Sequence, residues 1–256
     1  MSYRINPLAD AWRLLRGTFA ASLADPYIQQ NPRALSHRKD LFQWSSIDTM
    51  ETSGVFATYS PYRSVEPVLM QHLPTDAGRR AYEHLMILRE SRLVEIDSLL
   101  SRHGVTVEAS EDSWRAIASF LHQYITPSAE TEAALVSNPP VAPSEWLQLR
   151  GEHFISPLWQ SVVVDLALLM GEHVMHAQPS TTWCFWADSG FDGPDAYGRS
   201  PWLLDRDRSG EKPHRSLVFE RIGNNAHNAL EASLKGDDVD GAVPLGDLFT
   251  SLVSAD

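Results

Sequence analysis

Residues 157–176 carry apolar side chains on most faces of a helical wheel. Leu158, Val162, Leu166 and Leu169 form one stripe, and Trp159, Val163 and Met170 widen it around the cylinder. Ser156-Pro157 supplies a capping residue followed by proline at the first helical position, and Pro179 supplies the stop. A helix of this kind has to be covered on nearly every side by the rest of its chain. Asp165 interrupts the apolar run, which is far shorter than the roughly 20 residues a bilayer demands. The sequence therefore predicts a central core helix reaching about His176, and no membrane span. The 256-residue chain has the material to cover it, since 43% of its residues are hydrophobic and 21% charged, unlike a disordered chain.

Periodicity elsewhere supplies the covering elements. Asn6-Pro7 opens an amphipathic helix over 7–24, with Leu8, Trp12, Leu15, Phe19 and Leu23 on one stripe. Thr75 opens a long helix over 75–103, striped by Ala81, Leu85, Leu88, Arg92 or Leu93, Ile96, Leu99 and Leu100, and closed by His103-Gly104. Ser110 caps a third over 110–125, whose buried face is Trp114, Ile117 and Leu121. Phe219, Ile222, Ala226, Leu230 and Leu234 mark another over 217–235, and a short helix runs from about Leu245 to Val253. Strands are predicted at 54–60, 105–107 and 181–187, with a further short one at Trp202-Leu-Leu204. Strands and helices do not alternate, so a doubly wound or TIM-barrel arrangement is disfavoured and the fold class is α+β, helix-rich with a small sheet. Four prolines between 126 and 143 mark a boundary. It divides either two subdomains, a mixed 1–126 and an acidic 144–256 joined by a connector over 127–143, or two parts of one compact unit.

Charge divides near the same place. Residues 1–128 carry 13 basic against 14 acidic side chains, and residues 129–256 carry 8 against 19, so the second half holds −11 of the net −12. A surface of that sign repels phosphate backbones and attracts basic proteins. Another protein with a basic face is the expected partner, and neither nucleic acid at the C-terminal half nor a membrane is. The N-terminal residues Met1 to Pro7 have no apolar signal core, which predicts a cytoplasmic protein.

The motifs of nucleotide-binding loops, serine-hydrolase elbows and zinc-protease helices are absent. The only cysteine, Cys184, excludes disulfide and cysteine-rich metal frameworks, and its Trp183 and Phe185 neighbours suit a small packed hydrophobe. Two polar constellations remain. On the apolar helix, Asp165, Glu172 and His176 project within about 40° of one another. Glu172 and His176, four residues apart, match the spacing for chelating one divalent metal, with His153, His173 or a loop aspartate completing the set. The same pair near a helix C-terminus makes an ordinary hydrogen-bonded couple, the reading favoured because only two ligands have metal spacing. Gly171, unfavourable inside a helix, points to a close approach, most simply a strand packed on that face.

The second constellation is the stretch 187–216, with Asp188, Asp192, Asp195, Asp205 and Asp207 and with Trp202 as an aromatic anchor. It lacks the ligands of a calcium loop, because position 12 counted from Asp188 is Arg199. These residues form an expected partner-binding surface. The leading expectation is a non-catalytic protein-binding or regulatory protein, of an immunity or antitoxin kind or an accessory subunit, with no cofactor. A metal-dependent hydrolase using Glu172 and His176 with a divalent ion, and a structural subunit of a larger assembly, are the alternatives.

Overall fold

The computed structural model describes residues 42–50, 52–70, 73, 75–142, 145–146, 149, 154–185, 201–205, 214–216, 218–238 and 243–254. It is helix-rich with a small antiparallel sheet, an α+β arrangement. Six α-helices are described: α1 Thr75–Arg102, α2 Glu111–Tyr124, α3 Ala129–Ser137, α4 Pro157–Ala177, α5 Val218–Lys235 and α6 Leu245–Val253. The strands are β1 Thr181–Phe185, β2 Pro201–Asp205 and β3 His214–Ser216, paired in the order β1-β2-β3. The helix predicted over 7–24 lies outside the described residues.

Helix α4 is the hub. Every residue from Leu158 to Gly171 is buried, and the helix touches α1, α5, α6, β1 and the 3-10 turn Trp44–Thr49. By length and composition it is apolar enough to cross a membrane, yet most of it is packed inside the protein. Trp114, Trp159, Phe154, Leu99, Leu121 and Leu245 belong to the one cluster built around it, so residues on both sides of 126–143 share a core. The ends of that proline-bearing stretch are tied down: Ser128 N donates to Phe154 O at 3.3 Å and Ser156 N to Thr126 O at 3.0 Å. Within it Ser128 caps α3, a helix the density of prolines hides, because all four prolines fall outside Ala129–Ser137.

Two expected strands do not form. Residues 54–60 adopt a 3-10 turn, Gly54–Phe56, followed by a second turn. Phe56, Tyr59 and Tyr62 are buried at intervals of three, and Phe56 meets Trp159 edge-on at 5.1 Å. The aromatic content that suggested a strand serves packing against α4, which is what strand propensity largely measures. Residues 105–107 have their backbone groups taken locally. Val105 N donates to Leu100 O at 3.0 Å, and Thr106 O accepts from Ser113 Oγ at 2.8 Å. Gly104, at φ +76°, makes the left-handed turn that ends α1 there.

The sheet forms where 181–187 and 202–204 were expected to be strands. Trp183 stands opposite Leu203, and both are buried. Alternate residues of β1 face inward, as a one-sided sheet requires.

Candidate functional site

Asp165 is the residue the apolar helix least tolerates, being fully buried on α4. A carboxylate without water needs charge and donors nearby. It receives both from α1, where Arg92 occupies a position on the buried stripe. Arg92 Nε donates to Oδ1 at 2.9 Å and Nη2 to Oδ2 at 2.5 Å, a two-pronged pair. Tyr59 Oη donates a short hydrogen bond to Oδ2. The rest of the shell is closed in the same way. Tyr59 Oη and Ser161 Oγ lie 2.9 Å apart, Ser161 Oγ accepts from Tyr62 N at 2.5 Å, and Arg92 Nη1 donates to Ser60 O at 2.6 Å. Arg92 also lies over the Tyr59 ring, 5.4 Å from its centroid.

Burial pushes Asp165 up to about 6, against the opposing pull of Arg92 and Tyr59, so it is ionised at neutral pH. For Arg92, burial acts to lower the pKa, but the hydrogen bonds and charge of Asp165 outweigh it and hold the guanidinium above its usual range. Burial, reinforced by the Asp165 charge, raises the Tyr59 hydroxyl well above its ordinary value. Both Asp165 oxygens accept hydrogen bonds, so the carboxylate clamps α1, α4 and the 56–62 turn together.

About two and three turns further along α4, Glu172 and His176 sit in different surroundings. Glu172 Oε1 accepts from Trp183 Nε1 at 2.9 Å, and Arg89 Nε lies 3.5 Å away. His176 is exposed. Among the described residues no group of three or more His, Cys, Asp or Glu side chains is placed to hold a metal ion. The close approach expected at Gly171 is the indole of Trp183: a Cβ there would sit 1.9 Å from Trp183 Cζ2. Strand β1 thus packs on α4 at the glycine and bonds to the glutamate beside it. Neighbouring His173 meets Trp114 edge-on at 5.7 Å, and burial, with the His176 charge, lowers its pKa to about 4.

Of the expected acidic surface, Asp188, Asp192, Asp195 and Asp207 lie outside the described residues. Trp202 and Asp205 are on β2, opposite Cys184 and Thr181 respectively. Within the described part of the acidic half, Asp237, Asp238 and Asp247 are exposed and have no ion-pair partner among the described residues. Sequence reasoning grouped Asp165 with Glu172 and His176 and missed Arg92 as its counter-ion. The available signal was an arginine on a buried stripe in one helix and an aspartate on a buried stripe in another, each requiring an opposite charge.

No protein family model, curated protein or solved structure matches the chain.

Proposed function

We propose that this protein is a non-catalytic binding component that docks a basic protein partner through its acidic C-terminal half. The observation that carries the reading is the partition of charge: −11 of the net −12 belongs to residues 129–256. Interior carboxylates of that half have internal partners, Arg92 for Asp165 and Trp183 with Arg89 for Glu172. Its exposed Asp237, Asp238 and Asp247 are available to an outside cation. Clustered negative potential steers a basic partner and fixes its orientation. An immunity or antitoxin role, in which such a surface neutralises a basic toxin face, is one concrete form.

The test is quantitative recovery of bound protein from the native host by the tagged chain, compared with a variant in which Asp188, Asp192, Asp195, Asp205 and Asp207 are reversed to lysine. The reading expects recovery of the bound protein to fall steeply in the variant and with rising salt. Equal recovery by both chains overturns it.

A further inference from the structure

The buried pair of Arg92 and Asp165 has a cover. Residues 53–66 cross α4 and α1 and return to the turn Trp44–Thr49, where Trp44 N and Nε1 donate to Pro67 O at 2.9 Å and Val68 O at 3.2 Å. Phe56, Tyr59 and Tyr62 are its buried side, and Ser53, Gly54, Ala57, Thr58 and Ser60 face solvent.

The backbone of this segment is tied to the helices by side chains alone. Among the described residues, its backbone-to-backbone hydrogen bonds are local turns: Phe56 N to Ser53 O, Ala57 N to Gly54 O and Tyr59 N to Phe56 O. The links to the helices come from α1 and α4. Ser60 N donates to Glu95 Oε2 at 3.1 Å, Arg92 Nη1 to Ser60 O at 2.6 Å, and Tyr62 N to Ser161 Oγ at 2.5 Å. The Tyr59 hydroxyl adds its bond to Asp165. Two further ties, Arg63 with Asp48 at 2.8 Å and Arg80 with Glu66 at 2.7 Å, involve arginines that are more than half exposed and hold weakly. A segment without a backbone ladder can detach at a lower cost than the helices beneath it, whose own hydrogen bonds stay intact when it leaves.

We propose that residues 53–66 form a strap that opens and closes as one unit over the Arg92–Asp165 pair while the helices stay folded, latched by Arg92, Asp165, Glu95 and Ser161. Opening lifts Tyr59 from Asp165 and lets water reach the one ion pair that is buried at both ends among the described residues. The charged and titratable groups facing Asp165 are Arg92 and Glu95 from α1 and Tyr59 and Tyr62 from the strap. Closed, burial holds the carboxyl at about 6; open, water returns it toward its ordinary 3.8. The closed state therefore holds the proton more tightly, and opening becomes easier as pH rises through 6. The strap is independent of the acidic docking surface, and neither reading depends on the other.

Native-state hydrogen exchange of the full-length protein, followed at low urea concentrations, tests the strap. The amides of Ser60 and Tyr62 are expected to open at least about tenfold more often than that of Leu166 in the α4 core, and with a smaller urea dependence. Their opening, corrected for intrinsic exchange, is expected to rise about tenfold from pH 5 to pH 8 and to lose that rise in Asp165→Asn. Tyr59→Phe keeps the ring and removes the hydroxyl, so it tests the latch even if Asp165→Asn does not fold; it is expected to raise opening about tenfold at neutral pH. Opening of Ser60 and Tyr62 that matches Leu166 in both frequency and urea dependence overturns the proposal, because the segment then leaves only with global unfolding. So does opening that Tyr59→Phe leaves unchanged, opening that is flat between pH 5 and pH 8, or a pH rise that survives in a folded Asp165→Asn.

Discussion

Replacing Arg92 with methionine keeps most of the aliphatic volume and removes the cation facing Asp165. The stranded carboxylate is fully buried on α4, with only the Tyr59 hydroxyl left as a direct side-chain donor. Breaking a buried pair in this way costs about 3–5 kcal/mol at a pH where the survivor is ionised. The pH dependence carries the sharper information. Asp165 titrates at about 6 in the folded protein against an ordinary 3.8, so between those values the folded state binds more protons than the unfolded one. The Asp165 contribution to stability is therefore greatest below about pH 4, falls as pH rises through 6, and levels off above; the span corresponds to a contribution on the order of 3 kcal/mol. Without Arg92 the carboxyl is pushed higher still, into the range seen for isolated buried acids, and the fall extends to higher pH. The penalty of Arg92→Met, measured by urea denaturation, should thus be full at pH 8 and smaller by about 2–3 kcal/mol at pH 5. The double variant Arg92→Met/Asp165→Leu should recover most of the loss at both pH values. A penalty below about 1 kcal/mol, or one equal at both pH values, would refute the clamp, since an exposed pair behaves that way.

Three further outcomes follow from neighbouring geometry. Gly171→Ala should destabilise by about 1–3 kcal/mol in the same denaturation assay, because the new methyl meets the Trp183 indole; helix propensity alone predicts a gain of up to about 1 kcal/mol, so the sign decides. His173, held near 4 by burial and then by His176, has a folded pKa below its ordinary 6.5. Its contribution to stability is complete above 6.5 and lost as pH falls from 6.5 to 4; imidazole NMR should place its midpoint near 4, shifted upward in His176→Ala, and a midpoint at 6.5 contradicts the packing against Trp114. Ser110→Ala removes the side chain that accepts from Ser113 N at 3.2 Å and should lower stability by about 0.5–2 kcal/mol, with no change expected if α2 draws its start from packing alone.

Long amphipathic stretches were readable from sequence because their periodicity reports burial directly. Thr75–Arg102, Glu111–Tyr124, Pro157–Ala177, Val218–Lys235 and Leu245–Val253 match the expected helices to within a residue at each end. Gly171 was readable as a close contact because glycine has little other reason to sit in a helix interior. What sequence did not give depends on pairing across the chain. Phe56, Tyr59 and Tyr62 resemble a strand until Trp159 and Asp165 appear beneath them as reasons for a three-residue spacing. Arg92 and Asp165 are 73 residues apart, and nothing local specifies that they meet. Helix α3 was masked by flanking prolines, although its own nine residues contain none.

The interior polar groups hold the scaffold, and the proposed docking uses acidic surface. Partner recovery from the native host, run side by side for Arg92→Met/Asp165→Leu and for the chain with its five loop aspartates reversed, separates the two roles. Recovery is expected to be undiminished for the first, folded variant and lost for the second. Loss by the first with retention by the second would place the working chemistry at Asp165 and overturn the docking proposal.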